Sequence, residues 1–276
     1  MNIIHTNITV GASSPFTVLH MSDTHLCRAD DRNDQRKTEL AERRQKAFPE
    51  SEECLLAGIK EAKTLDCPVF YTGDLLDFVS FANVDAAKNF TDNCDVFMAA
   101  GNHEFSLYVG EAFEDEEYRN RSLPLVQSAF NNNIRFATRE INGILFIAVD
   151  NSYYLFDQQQ LEQLQKELKK NMPTVLLMHT PLHSEGLYNH MMHELHNECA
   201  YLMNVPDEKT ALYSDHRRIQ QTADKTTKEA YELIVGSKNI KAIITGHLHF
   251  DYEDTSLPCL PQYVTACTTL RVIRFD

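Results

Sequence analysis

Five short apolar runs in this 276-residue chain end in residues whose side chains bind metals. Phe16–Met21 leads into Ser22-Asp23-Thr24-His25, and 68–72 leads into Gly73-Asp74. The run 96–100 leads into Gly101-Asn102-His103-Glu104, 174–178 into His179, and 242–245 into Gly246-His247-Leu248-His249. The donors Asp23, His25, Asp74, Asn102, His179, His247 and His249 offer only oxygen and nitrogen. No cysteine belongs to the set, which argues against a structural zinc site. Mixed imidazole and carboxylate suits Mn, Fe, Zn or Co in an exchangeable, catalytic setting. Seven donors are too many for one ion with an open position, and suit two divalent ions sharing a carboxylate. Two such ions outweigh the charge of Asp23, Asp74 and a bridging hydroxide, so the centre is locally positive whatever the surface carries. Ions about 4 Å apart can lower the pKa of a water between them and hold one phosphate, the chemistry of phosphoester hydrolysis.

Donors from five distant segments need a scaffold that gathers them. The apolar runs read as strands and alternate with helical segments at 50–64, 83–90, 158–170 and 226–236. Ile144–Val149 is a further strand, and 263–265 and 270–273 are candidates. Strands separated by helices predict an α/β fold with sheets covered on their outer faces. The last third adds strands without intervening helices, so part of the sheet is predicted to be antiparallel or to form a second sheet. In open α/β sheets ligands gather at the carboxyl ends of strands. The chain has nine glycines, and Gly73, Gly101 and Gly246 each stand immediately before a candidate donor. That placement predicts sharp turns and close backbone approach. No domain boundary is evident, so residues 1–276 read as one domain. The stretch 182–223 fits the alternation poorly and reads as a helical excursion with polar, hydrogen-bonding composition.

Taken together, Asp23-x-His25, Gly73-Asp74, Gly101-Asn102-His103-Glu104, His179 and Gly246-His247-x-His249 resemble the five boxes of the calcineurin-like metallophosphoesterases. The resemblance spans residue 16 to about residue 250 and is specific as a set. It implies a four-layer α/β/β/α sandwich with mixed sheets and a dinuclear site at the strand ends. It also implies that Asp23, His25 and His249 hold one metal, that Asn102, His179 and His247 hold the other, and that Asp74 bridges them. His103 would then be the acid-side catalytic residue and not a ligand. In the related protein serine/threonine phosphatases the Gly-Asp box continues Asp-Arg-Gly, whereas here it continues Asp77-Phe78-Val79. The arginine that helps hold a phosphate dianion is missing from that position. The expected reaction is hydrolysis of small phosphate esters by metal-hydroxide attack, with diesters favoured. Phosphomonoesters and nucleotide pyrophosphates are alternatives on the same site. An amidohydrolase is disfavoured, because there His-x-His lies on the first strand and no Asn joins the ligands. A metal-binding scaffold without activity is disfavoured because all seven donor positions are kept.

Other residues carry weaker signals. Asp77 could orient a ligand His or cap a turn, and Glu104 reads as a support. Asp150 and Asn151 follow a strand and could face the cleft, and His183 could touch substrate. His190, His193 and His196 read as a polar surface face rather than an extra metal site, with Met191, Met192 and Leu195 on the buried side. The locally basic stretch from Arg28 to Lys46 is interleaved with Asp and Glu and reads as a solvated helix with i,i+4 pairs.

Net charge is −14. Proteins that hold nucleic acid by its phosphates usually show a basic face, so no duplex nucleic acid partner is expected. Seven scattered cysteines without CxxC spacing predict free thiols in a reducing compartment. No basic-apolar leader and no membrane-length apolar run stand out, so a cytoplasmic location and no membrane partner are expected.

Overall fold

Residues 1–105 and 116–276 are described in a computed structural model of the chain. Eleven strands lie among these residues: β1 (Asn2–Ile8), β2 (Phe16–Met21), β3 (Val69–Tyr71), β4 (Val96–Met98), β5 (Phe136–Ile141), β6 (Ile144–Val149), β7 (Thr174–Leu177), β8 (Ile240–Thr245), β9 (Tyr252–Asp254), β10 (Gln262–Val264) and β11 (Thr269–Phe275). The helices are α1 (Gln35–Gln45), α2 (Ser51–Leu65), α3 (Phe81–Asn93), α4 (Glu116–Gln127), α5 (Gln158–Leu168), α6 (Glu185–Asn189), α7 (Asp207–Thr210), α8 (Asp215–Gln221) and α9 (Lys225–Gly236).

Every side chain of β6 is buried, but alternate residues go to different places. Ile144, Phe146 and Ala148 join one apolar cluster, and Leu145, Ile147 and Val149 join another. A strand alternates its side chains between two faces, so both faces of this sheet are covered. The same split divides Phe70 from Val69 and Tyr71 on β3. Three apolar layers result. Leu55 and Ala62 of α2, Phe90 of α3 and Val126 of α4 cover one sheet. Leu161 and Leu164 of α5 and Ala230 and Ile234 of α9 cover the other. Val18, Phe70, Phe97, Phe146, Val175 and Phe275 fill the space between the sheets. This is the expected α/β/β/α sandwich with mixed sheets.

One sheet has the order β1-β11-β2-β3-β4, the other β5-β6-β7-β8-β10-β9. Strands β2, β3 and β4 are mutually parallel, as are β6, β7, β8 and β10. Antiparallel partners flank them: β11 on β2, β5 on β6 and β9 on β10. Within each parallel set the strands therefore point their carboxyl ends the same way. The two sets meet at those ends, where His179 Nδ1 after β7 donates to the Thr72 carbonyl after β3 at 2.7 Å.

The stretch 182–223 contains α6, a wide helical turn at His190–Glu194, α7 and α8. It has an apolar core of its own, contrary to its expected polar character. Leu187, Tyr188, Met191, Leu202, Val205 and Tyr213 cluster with Leu248 and Val264. Leu195, expected on the buried side, is 46% exposed. The amide of Leu195 bonds the carbonyl of His190, five residues back. The extra residue in that turn breaks the 3.6-residue period, so spacing no longer predicts the buried face. No helix among the described residues is long and apolar enough to cross a membrane.

Candidate metal centre

The turns that carry the donors are held in an unusual backbone conformation. Asp23, His25, Asp74, His247 and His249 have φ of 56°, 53°, 56°, 70° and 58°. Asp and His enter this left-handed region more readily than most residues, but it is still sparsely populated, and such residues cluster where the surroundings force them. Two glycines help to force them. Gly73 has φ +91°, and a Cβ on it would lie 2.6 Å from the Cα of Gly101. A Cβ on Gly246 would overlap Ser22 Oγ and the Asp23 carboxylate. Only glycine lets the ends of β3, β4 and β8 approach their neighbours this closely.

The turns bring all seven candidate donors to one place, in two groups. In the first, His25 Nε2 is 3.1 Å from His249 Nε2, and Asp23 Oδ1 is 3.3 Å from His249 Nε2. In the second, His179 Nε2 lies 3.1 Å from Asp74 Oδ2, 3.1 Å from Asn102 Oδ1 and 3.0 Å from His247 Nδ1. Asp74 Oδ2 is also 3.7 Å from His25 Nε2, so this carboxylate stands between the groups. Donors about 2.1 Å from a shared ion stand roughly 3.0–3.4 Å apart at right-angled to tetrahedral spacing. The separations of 3.0–3.3 Å match that requirement, while His25 Nε2 stands farther from Asp74 Oδ2, at 3.7 Å, and from Asp23 Oδ1, at 3.9 Å.

The far nitrogens of the rings fix which atom faces inward. His25 Nδ1 is 2.9 Å from Asp77 Oδ1, and His179 Nδ1 donates to the Thr72 carbonyl. His247 Nε2 meets Tyr154 Oη at 2.8 Å. Nε2 of His25, Nε2 of His179 and Nδ1 of His247 are thereby left toward the centre, the arrangement in which outer partners orient ligating imidazoles. Burial keeps His25 below its ordinary pKa and lowers His247 to about 3, so both favour the neutral form. His179 goes the other way: burial lowers it, but Asp74 and Asp23 outweigh that and push it up to about 10. Asp23 is held at about 2, burial being outweighed by His249 and His179.

His103 also reaches the centre. Its Nδ1 lies 2.7 Å from the carbonyl of Asp77, which can only accept, so Nε2 is left for the cleft. Burial lowers its pKa, but Asp74 and Asp77 more than compensate and hold it up at about 9. His25, Asp74 and His103 also form a group with ligand-like spacing, so proximity alone does not separate a proton donor from a ligand.

Asp77 takes the role of orienting a histidine, and its second partner comes from the basic stretch. Arg44 Nε is 2.8 Å from Asp77 Oδ2, and Nη2 is 3.0 Å from Oδ1. The solvated-helix reading therefore fails for Arg44, whose guanidinium also lies over the Phe48 ring, which stacks on His25 at 4.1 Å. Arg44, Phe48 and Tyr154 were not foreseen from the sequence. Only Arg44 left a signal there, as one charge among many.

Glu104 is fully buried, and its carboxylate accepts four backbone N–H groups, from Asp74, Leu75, Leu76 and Gly101. Burial and Asp74 raise its pKa to about 7 while those donors pull it down. With both oxygens filled twice, no lone pair remains for a proton, and the group stands as a carboxylate. Glu104→Gln turns an NH2 toward two of the four donors. The expected loss is at least about 2 kcal/mol of unfolding free energy, since each buried unsatisfied donor costs about 1–3 kcal/mol. Urea unfolding of metal-loaded protein measures it, and an unchanged midpoint would contradict the bracing role.

Asp150 does not face the cleft; its carboxylate is 3.1 Å from Arg135. Asn151 holds the end of β7 instead, accepting from the amides of His179 and Thr180. His183 is buried against Tyr188 outside the cleft lining. His190 pairs with Glu194 at 2.7 Å, and neither His193 nor His196 joins a donor group among the described residues.

The centre opens into a cleft of about 330 Å³, lined by Asp74, Asn102, His103, His247 and His249 on one side. Met191, Asn197, Tyr201, Arg217 and Gln220 of the 182–223 stretch line the other side. A larger hollow of about 540 Å³ lies beyond α8, but none of the donor groups opens onto it.

The sequence profile of the calcineurin-like phosphoesterase family matches residues 16–251. No curated protein is detectably similar in sequence. Among solved structures, a dimetal phosphatase from Danio rerio is similar at 13% identity and a TM-score of 0.50, over 91% of this chain and 87% of that one. The phosphopantetheinyl hydrolase of Mycobacterium tuberculosis matches at 11% identity and a TM-score of 0.46, over 91% and 90%. At such identity the first likeness speaks for the fold alone. The profile covers all five boxes and most of the chain, and on that ground the chain belongs to the calcineurin-like phosphoesterases, hydrolases of phosphate esters that work with a dinuclear divalent metal centre.

Proposed function

We propose that this chain hydrolyses small phosphate esters, with diesters preferred, and that the observation carrying this reading is the pair of donor groups joined by Asp74 at the floor of the cleft. In this reading Asp23, His25 and His249 would hold one ion and Asn102, His179 and His247 the other, with Asp74 shared between the two groups. Bound there, two divalent ions would supply Lewis acidity and an activated water for attack on phosphorus. Asp77, the Thr72 carbonyl and Tyr154 keep the imidazoles turned inward. His103 carries a proton to the leaving oxygen.

The size of the cleft supports small substrates, because about 330 Å³ is at the lower end of small-ligand sites. The 182–223 stretch acts as a cap that narrows access, and the net charge of −14 disfavours polyanions at long range. Diesters are favoured because Phe78 stands where related protein phosphatases have an arginine, and Phe78 is fully buried in a small core with Leu40 and Ala41. That turn cannot offer a cation to a phosphate dianion.

Metal-loaded protein is expected to bind two ions per chain by elemental analysis. With Mn it should hydrolyse bis(p-nitrophenyl) phosphate faster than p-nitrophenyl phosphate, and it should lose both activities to a chelator and regain them with metal. A faster monoester rate would shift the preference to phosphomonoesters. A crystal with one fully occupied ion, or Asp74 pointing away from the metals, would overturn the proposal.

A further inference from the structure

We propose that Arg217, delivered from the 182–223 stretch, is the cation that binds the substrate's phosphate beside the metals. The inference rests on the phosphoesterase reading above. A phosphate ester has non-bridging oxygens that a guanidinium can bind beside the metals. The turn after β3 presents buried Phe78. Arg44, a guanidinium on that side, is committed to Asp77 behind His25. Among the described residues that line the cleft, Arg217 is the one lysine or arginine.

Its attachments suit a substrate-binding group. Arg217 sits on α8, with its guanidinium over the Tyr201 ring at 5.1 Å. The edge-to-face contact of Tyr201 with His247, at 6.3 Å between centroids, places that platform against the second donor group. Nε and Nη2 bond Glu198 Oε1 at 2.9 and 2.8 Å, and Nη1 bonds Gln220 Oε1 at 2.8 Å. A guanidinium has five N–H donors, so these three bonds leave one on each terminal nitrogen. Two N–H groups on adjacent nitrogens form the fork that matches two phosphate oxygens. The partner Glu198 is 56% exposed at its side chain, and ion pairs so exposed hold weakly. Arg217 is therefore positioned by its ring platform but not saturated by its carboxylate.

The test uses the full, Mn-loaded chain, with inorganic phosphate as the probe and calorimetry as the readout. Arg217→Gln should raise the Kd for phosphate at least about tenfold, the scale of one lost charge-assisted hydrogen bond. Metal content should not change. Arg217→Lys should recover part of the affinity, because the charge returns without the fork. Glu198→Gln should move the Kd the opposite way, tightening phosphate, since it releases the guanidinium. In turnover, Arg217→Gln should raise KM for p-nitrophenyl phosphate and for bis(p-nitrophenyl) phosphate alike, because both present at least two non-bridging oxygens to the fork. An unchanged phosphate Kd in Arg217→Gln would overturn the proposal. So would weakening by both Arg217→Gln and Glu198→Gln, which would mark the pair as structural. Because phosphate binding is read without turnover, failure of the unsubstituted protein to hydrolyse any ester would count against the phosphoesterase reading alone.

Discussion

Gly246→Ala is expected to lower kcat/KM by more than about 10²-fold and to lower the bound metal below two ions per chain, while Gly236→Ala leaves both intact. Gly246 joins the end of β8 to His247 and His249 and lies against the end of β2. A Cβ there would overlap Ser22 Oγ and Asp23 Oδ2 and come within 2.7 Å of Ser22 Cβ. None of these atoms can retreat cheaply. Asp23 accepts the amide of His247 at 2.9 Å, and both Ser22 and Asp23 are buried. Relief requires the β8 end to move away from β2, which separates His249 from Asp23 and His25. Displacement of about 1 Å in a reacting site costs about 10²-fold in rate. The overpacking itself should cost about 1–3 kcal/mol of stability, read as a lower melting temperature. The control is drawn from the same chain: a Cβ on Gly236 meets nothing within 4 Å, and alanine at the end of α9 should stabilise by roughly 0.5–1 kcal/mol. Elemental analysis and aryl phosphate kinetics on both variants decide the matter. A fully loaded, active Gly246→Ala protein would show that the close approach of the strand ends is dispensable.

That glycine stood out in the sequence because it is scarce and sits between an apolar run and a donor. The legible part of the fold had this character throughout. Runs such as Ile144–Val149 are buried on both faces, so they read as unbroken apolar stretches. The strands the sequence did not reveal are β1, β5 and β9, and each is an edge strand in the sheet order. Edge strands have one side unpaired and are partly solvated, so Phe136–Ile141 reads Phe-Ala-Thr-Arg-Glu-Ile and shows no apolar run. The supports of the candidate site were hidden for a different reason. Arg44 and Asp77 are 33 residues apart, and nothing in a charged helix marks one arginine as turned inward. The apolar residues of 182–223 were visible, but short helices and a wide turn scatter them off any period. Their core changes what a deletion would do. Replacing 187–213 with a flexible loop would strip apolar cover from Leu248 and Val264, so a rate change could no longer be assigned to selectivity. Single substitutions in the cleft wall, such as those at Arg217, are the sounder probe.

His103→Ala is expected to keep both metals and to lower kcat by roughly 10²–10⁴-fold, the range for loss of a general acid. The turn after β4 places two roles side by side: Asn102 offers Oδ1 to the second donor group, and His103 follows it directly. The backbone amide of His103 donates to Asp74 Oδ1 at 2.8 Å, and alanine preserves that bond. The variant therefore removes the imidazole without removing the tie that holds Asp74. The Asp77 carbonyl fixes Nδ1 as the protonated atom and leaves Nε2 for the cleft, while Asp74 and Asp77 keep a proton favourable there by holding the pKa at about 9. Cations at Asp74 would weaken that upward pull, so leaving-group dependence is a better diagnostic than a pH profile. An oxygen that leaves easily needs little protonation. The loss should therefore be largest for alkyl esters and should shrink steadily as the leaving alcohol becomes more acidic, with p-nitrophenyl esters least affected. Kinetics across such a series, with metal content measured on the same samples, separates the two readings of the group formed by His25, Asp74 and His103. A uniform loss accompanied by missing metal would make His103 a ligand. A graded loss at full metal occupancy is what proton donation to the leaving oxygen requires.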